Sequence, residues 1–255
     1  MKTEKKAHML KFLEKGIRFD GRKPDEFREI KIETGISKNA EGSAKVLFGD
    51  TQVMAGVKMS VEKPYPDTPE EGNLMVGVEL SPMSSPEFET GPPGPEAVEL
   101  ARVVDRGIRE SKAMDTKKLC IEKAEKVWMT SIDIVTINAD GNLIDASALA
   151  SIAAIKATKM PEYEDGKVNY NKRTNKSLPI KKIPIAVTIY KIGPHMLVDP
   201  TSEEEDVTET RLTVTSSEGK LCALQKGNEY PLTIQEIEKM IELGLEKAKE
   251  LAKYL

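Results

Sequence analysis

The chain has 255 residues, of which 31% are charged and only 5% aromatic. That length suffices to bury a real core, in one large domain or two modest ones. The formal net charge of −4 excludes a molecule-wide basic field, so any contact with nucleic acid must come from a local patch. Cys120 and Cys222 stand far apart and, with His8 and His195, make a poor set of zinc ligands, so neither metal nor other cofactor is expected. The opening MKTEKKAHML lacks the apolar run of a secretory signal, and the most apolar helix candidate, Ala146–Ile155, is too short to span a bilayer. These features predict a reduced, cytoplasmic protein that is not inserted in a membrane.

In chain order, residues 4–15 predict a short amphipathic helix that docks Met9, Leu10 and Leu13 and stops before Gly16. Arg28–Glu33 alternates as a strand, and Ala44–Phe48 with Thr51–Val57 forms a hairpin across Gly49-Asp50. A loop rich in proline and acid, residues 63–72, leads to a strand over Leu74–Leu80 and then to a second proline-rich loop. Glu99–Ser111, ELARVVDRGIRES, follows as a helix whose entrance suits the prolines of Gly91–Pro95. At 100° per residue, Arg102, Arg106 and Arg109 fall within about 60° of each other, opposite Leu100, Val103, Val104 and Ile108. Three planar guanidiniums on one stripe suit a ladder of phosphates. The same stripe also suits plain surface pairing, because Glu99 and Asp105 flank it at helical spacings.

Val127–Ala139 is the strongest strand, apolar on much of both faces, and Asp140-Gly141-Asn142 turns it into an apolar helix over Leu143–Thr158. Met160–Leu178, polar and rich in Lys and Asn, predicts a linker or surface excursion. Short strands over Ile185–Ile189, Met196–Val198, Leu212–Thr215 and Leu221–Leu224 precede a last helix, capped by Thr233 with Glu236. Its apolar stripe is expected at Ile234, Ile237, Ile241, Leu245 and Ala248. Strands precede a helix in both halves, which suggests an α+β fold of two related βα halves. The organisation so predicted is an N-terminal helix and arm (1–27), a first half (28–160), a linker or excursion (161–182) and a C-terminal half (183–255).

RFDGR (Arg18–Arg22), GSAKVLFGDTQVMAGV (Gly42–Val57) and the arginine helix resemble RNase PH-type proteins. KPYPDTPEEGNL, ELARVVDRGIRESK and VDPTSEEED narrow the likeness to the non-catalytic RNase PH-like subunit of the archaeal exosome. The resemblance implies the RNase PH-like fold (ribosomal protein S5 domain 2-like) and a six-membered ring in which three copies alternate with three of a catalytic sister. It further implies phosphorolysis of RNA from the 3′ end, with RNA and RNA-binding cap subunits as partners.

Active members of that family place Gly-Thr-Arg at the turn before the second helix, where an arginine and a helix N-terminus hold phosphate. Here the turn reads Gly141-Asn142-Leu143, with Asp140 and Asp145 beside it, two acids expected to serve as helix caps. Losing one such stabilising contact costs on the order of 10²–10³ in rate. Active members also carry an aspartate after their acidic loop, and the best register places Thr210 there, without a carboxylate. Glu203–Asp206, expected to be a solvated acidic loop, offers Glu204 or Asp206 as substitutes.

The resemblance therefore implies no catalytic residues in this chain. It implies that the chain helps structure the catalytic sister's active site and binds RNA through Arg102 and Arg106, with Arg109 the third candidate or else a partner of Asp105. Two alternatives stand beside this one: a self-sufficient phosphate-dependent 3′-to-5′ exoribonuclease, and a scaffold that never touches RNA. Lys172 and Arg173 are lesser candidates for RNA contact, as is Tyr65 for stacking, and His195 is expected to be a turn residue.

Overall fold

The computed structural model describes residues 2–164 and 166–255. Helix α1 (Lys2–Leu13) matches the predicted N-terminal helix. Its Met9 and Leu13 pack with Ile192, Leu197 and Val207, and Leu10 lies against them. The N-terminal helix is thus fastened to the second half of the chain by a small apolar cluster of its own.

The first half contains β1 (Ile30–Thr34), β2 (Gly42–Phe48), β3 (Thr51–Glu62), β4 (Asn73–Glu79), α2 (Pro95–Glu110), β5 (Cys120–Glu122), β6 (Lys126–Asn138) and α3 (Leu143–Ala157). Its sheet has the order β1-β2-β3-β6-β4, with β5 paired to β6. The predicted hairpin places Phe48 opposite Thr51. On β3, Val53, Ala55, Val57 and Met59 are buried, as residues two apart on a strand share one face. That face packs on α3, which also touches the second half through β9 (Ile185–Ile192). A helix covered on both sides must be apolar nearly all round, and α3 is. Gly42 permits its close approach, because a Cβ there would fall 2.2 Å from Thr158 Oγ1.

The excursion after α3 is an ordered hairpin of β7 (Lys159–Glu164) and β8 (Lys167–Ser177), rather than a linker. Sequence patterning missed it because β8 is solvent-exposed along most of its length, so backbone pairing holds it without an alternating apolar face. The second half adds β10 (His195–Val198), α4 (Ser202–Glu205), β11 (Thr210–Ser217), β12 (Lys220–Gly227) and α5 (Ile234–Leu251). Its sheet runs β10-β9-β11-β12, antiparallel throughout. His195 opens a strand, and the turn before it is made by Gly193 at φ +59°.

The capping box of α5 forms as predicted: Glu236 N–H donates to Thr233 Oγ1 at 3.2 Å, and Thr233 N–H donates to Glu236 Oε2 at 2.8 Å. The fully buried row of α5 is rotated slightly from the expected one, though Ala248 lies on both and Ile237 and Ile241 still pack, partly buried, against the core. Met240, Gly244, Ala248 and Leu251 face inward, while Ile234 is 72% exposed. Gly244 fixes the rotation, since a Cβ there would come within 2.8 Å of Val214 Cβ on β11.

Candidate functional site

Segments distant in sequence converge at the N-terminal end of α3, around the buried carboxylate of Asp199. Arg28 Nη2 donates to Asp199 Oδ1 at 2.7 Å, and its Nε and backbone N–H donate to Oδ2 at 3.0 and 2.8 Å. Arg22 Nη1 adds a bond to Oδ2 at 3.1 Å, and Asn142 Nδ2 donates to Oδ1 at 2.9 Å. Burial alone would raise the Asp199 carboxyl. The hydrogen bonds and charge of Arg28, with the charge of Arg22, hold it below the ordinary value instead. Arg28 also ties in the turn before α3, through the Asp140 carbonyl at 2.7 Å.

A second buried pair locks the adjoining segment. Arg18 presents its fork to Glu204, with Nε to Oε1 at 2.8 Å, and it donates further to the carbonyls of Val198 and Asp199. The run Glu203–Asp206 is therefore not a solvated loop. It contains α4, whose capping box joins Thr201 to Glu204, and Glu204 is engaged too fully to serve as a free base. Asp206 lies at the surface, 3.7 Å from Lys5.

The turn itself is strained and full. Asn142 sits at φ +55°, buried, with its side chain directed to Asp199. Gly141, at φ +77°, passes so close to the 200–202 backbone that a Cβ would lie 2.4 Å from the Pro200 carbonyl oxygen. The expected caps are not made. Asp140 accepts from Ser202 Oγ at 2.8 Å and from Arg28 Nη1 at 3.1 Å. Asp145 is wholly buried and bridges the two halves, accepting from Thr188 N–H at 3.0 Å and Thr188 Oγ1 at 2.7 Å. Burial drives its pKa up to about 7. Both acids bond across the tertiary structure, which the local capping pattern could not reveal.

Beside this hub lies a cleft of ≈ 420 Å³ whose walls include Glu96, Glu99, Glu205, Asp206, Tyr190 and Arg211. Arg211 is held by Glu99 at 2.9 Å and by Asn228 Oδ1 at 2.8 Å. Burial raises the Glu205 carboxyl, against the pull of Tyr190, Arg211 and the Asn142 backbone. Glu96 is raised too, by burial and by its neighbours Glu87 and Glu99. The cleft lining thus carries five carboxyl groups and one guanidinium. Arg211 and Thr208 line the cleft, while Thr210 is buried and donates to the Gly227 carbonyl at 3.1 Å. Alternation along β11 separates Thr210 from Arg211. Among the described residues no group of three His, Cys, Asp or Glu is arranged to hold a metal ion.

The arginine stripe forms on α2 as predicted, after Pro95 at the first helical position, with Leu100, Val103, Val104 and Ile108 buried behind it. Its three members differ. Arg102 is exposed, over a shallow groove between α2 and β4, and no hydrogen bond or ion pair engages its guanidinium among the described residues. Arg106 Nη1 donates to Gln225 Oε1 on β12 at 3.2 Å, a neutral partner that leaves its charge uncompensated. Arg109 forms a forked pair with Asp105, at 2.8 and 3.1 Å, and also donates to the Leu74 carbonyl at 3.2 Å. The hydrogen bonds and charge of Asp105 raise its pKa further.

The 3′ exoribonuclease (RNase PH) family model matches domain 1 over residues 26–161 and domain 2 over 182–247. The chain belongs to the RNase PH family. A relative from Methanosarcina acetivorans, named exosome complex component Rrp42, is 49% identical over 250 residues, covering 98% of this chain and 92% of that protein. Among solved structures, the Archaeoglobus fulgidus exosome with RNA bound to the active site includes a chain 43% identical, at a TM-score of 0.92, with 99% of this chain and 98% of that one covered. An archaeal exosome core chain is 41% identical, at a TM-score of 0.88, with 99% and 97% covered.

In this RNase PH family member, the residues that sequence reasoning passed over are Arg28, Asp199, Tyr190 and Arg211. Asp199 and Arg18 lie inside the two motifs that carried the resemblance. What no local pattern shows is that those motifs meet: Arg18 and Glu204 are 186 positions apart.

Proposed function

We propose that the chain is a non-catalytic subunit of an archaeal exosome ring, which alternates with a catalytic RNase PH-like sister and helps hold RNA during phosphorolytic 3′-to-5′ degradation. The names of its relatives and the likeness to an RNA-bound exosome support the assembly and the substrate. The observation that carries the non-catalytic role is the occupied end of α3. This chain's own Asp199 takes the hydrogen bonds of Arg28 and Asn142 there, and Glu96, Glu99 and Glu205 line the neighbouring cleft. Phosphorolysis needs an incoming phosphate dianion stabilised by donors and cations, and here every nearby cation already has a partner. Arg102, by contrast, has none among the described residues, and Arg106 has only an amide. Both suit phosphates of a strand held without sequence readout.

The test is phosphate-dependent release of nucleoside diphosphates from single-stranded RNA. The purified chain alone should release none, and the reconstituted ring should release them readily. In the ring, Arg102→Glu with Arg106→Glu should weaken RNA binding by at least tenfold, since charge-assisted hydrogen bonds contribute about 1.5–3 kcal/mol each. It should also flatten the salt dependence of binding by about 0.7 in log–log slope per phosphate released. Robust release by the isolated chain would overturn the non-catalytic role, and unchanged binding by the double variant would overturn the RNA role of α2.

A further inference from the structure

Residues 167–182 carry six Lys or Arg and no Asp or Glu, in a chain of net charge −4. Most of this stretch is β8, and its outward face borders an open groove of ≈ 630 Å³ lined by Lys38, Asn39, Lys58, Tyr170, Asn171 and Arg173. Lys172 pairs with Glu162 at 3.4 Å and Lys181 with Asp115 at 3.0 Å, but two of the three cations lining the groove have no carboxylate partner among the described residues. Arg173 Nη2 donates to the neutral carbonyls of Lys38 and Ala40, and no carboxylate pairs with Arg173 or Lys38 among the described residues. Lys58 has one acidic partner, Glu41 at 2.9 Å, and lies 4.9 Å from the centroid of the Tyr170 ring. Tyr170 itself is 51% exposed.

We propose that this groove is a second contact for single-stranded RNA, separate from the arginine helix, in which Tyr170 stacks a base while Lys38 and Arg173 take the flanking phosphates. An exposed aromatic ring between cations suits a nucleotide strand, because every base offers a π-face and every linkage a negative charge. The amides of Asn39 and Asn171 can hydrogen-bond base edges without fixing a sequence. An acidic peptide would satisfy the cations but would leave the ring without a stacking partner. The proposal rests on RNA being the chain's substrate partner, and it places the strand on β8 as well as on α2.

The experiment uses the ring assembled with its catalytic sister and a thiouridine-labelled single-stranded RNA, with crosslinked peptides read by mass spectrometry. Adducts on the peptide containing Tyr170 are expected, besides those on α2. Tyr170→Ala should lower affinity for the same RNA by about tenfold. Lys38→Glu should reduce the log–log salt slope by about 0.7. Both side chains are exposed, so neither change threatens folding, and Arg173 is left in place because it anchors the loop at Lys38 and Ala40. Adducts on α2 with none near Tyr170 would overturn the groove while leaving the proposed function standing. Adducts at neither place would overturn both. Displacement by polyglutamate of a fluorescent acidic peptide from the groove, with no effect of Tyr170→Ala on RNA, would assign the groove to an acidic protein instead.

Discussion

Helix α2 presents opposite chemistry at its two ends. Its first turns give Glu96 and Glu99 to the cleft beside α3, where they crowd against Glu205 and share one cation, Arg211. Farther along, Arg102 points to open surface, with Arg106 held only by an amide. The difference lies in what burial demands. Near α3 the cations Arg18, Arg28 and Arg211 are each engaged by the chain's own carboxylates, which fixes structure. On the outer face, solvent lets a guanidinium wait unpaired at little cost, free to meet a strand.

The sharpest way to break this contrast is to unpair the hub. Glu204→Ala leaves Arg18, almost wholly buried, without its carboxylate, and losing one partner of a buried pair typically costs about 3–5 kcal/mol. Urea denaturation should show a loss of that order. A loss below about 1 kcal/mol would mean that the pair behaves as a surface ion pair, and the account of a closed hub would fail with it.

The next effect is a pH dependence with a definite sign. Asp145 has a folded pKa of about 7, above the ordinary carboxylate value that it regains on unfolding. Between pH ~4 and ~7 the folded chain keeps a proton that the unfolded chain releases, so stability falls as pH rises through that window. The contribution is on the order of a few kcal/mol. The raised Glu96 and Glu205 act in the same direction. Asp199 acts oppositely, because its depressed carboxyl adds stability above its unfolded value that is lost as pH falls through the folded one. Asp145→Asn keeps an acceptor for the Thr188 N–H and should flatten the curve between pH ~4 and ~7. An identical slope in both proteins would remove Asp145 from the explanation.

These two tests concern residues that were only partly legible in the sequence. Elements with a strong period were read correctly: the β2–β3 hairpin, β6, α2, α3 and the capped α5. Their signals are local, since alternation, helical spacing and cap pairs all lie within a few residues. The β7–β8 hairpin was missed because its few packed apolar residues, Met160, Tyr163 and Val168, form no alternating run along β8, and the inward row of α5 was only partly placed because Gly244, not an isoleucine, makes a close approach to β11. At the site, the three arginines were legible as a stripe, with Asp105 already offered as the partner of Arg109, but the Gln225 amide beside Arg106 was not. Arg18 with Glu204, and Asp145 with Thr188, depend on segments that meet only after folding.

The smallest expected effect comes from Arg109, and it separates the two ends of the stripe most finely. Its forked contact with Asp105 spans four residues on an exposed helix face, the setting in which an ion pair contributes about 0.3–0.5 kcal/mol. Arg109→Ala should therefore lower stability by that amount plus the loss of its hydrogen bond to the Leu74 carbonyl, about 1–3 kcal/mol in all. It should leave RNA binding by the ring nearly unchanged, because a guanidinium already forked to a carboxylate must give up that pair to take a phosphate. Arg102→Ala has the reverse profile: stability should stay the same, as no partner is lost, while RNA affinity falls. Denaturation curves and RNA titrations on the two single variants decide the matter. Equal losses of RNA affinity would show that Asp105 releases Arg109 on binding and that the stripe works as a ladder of three, whereas the split profile confines the grip to Arg102 and Arg106.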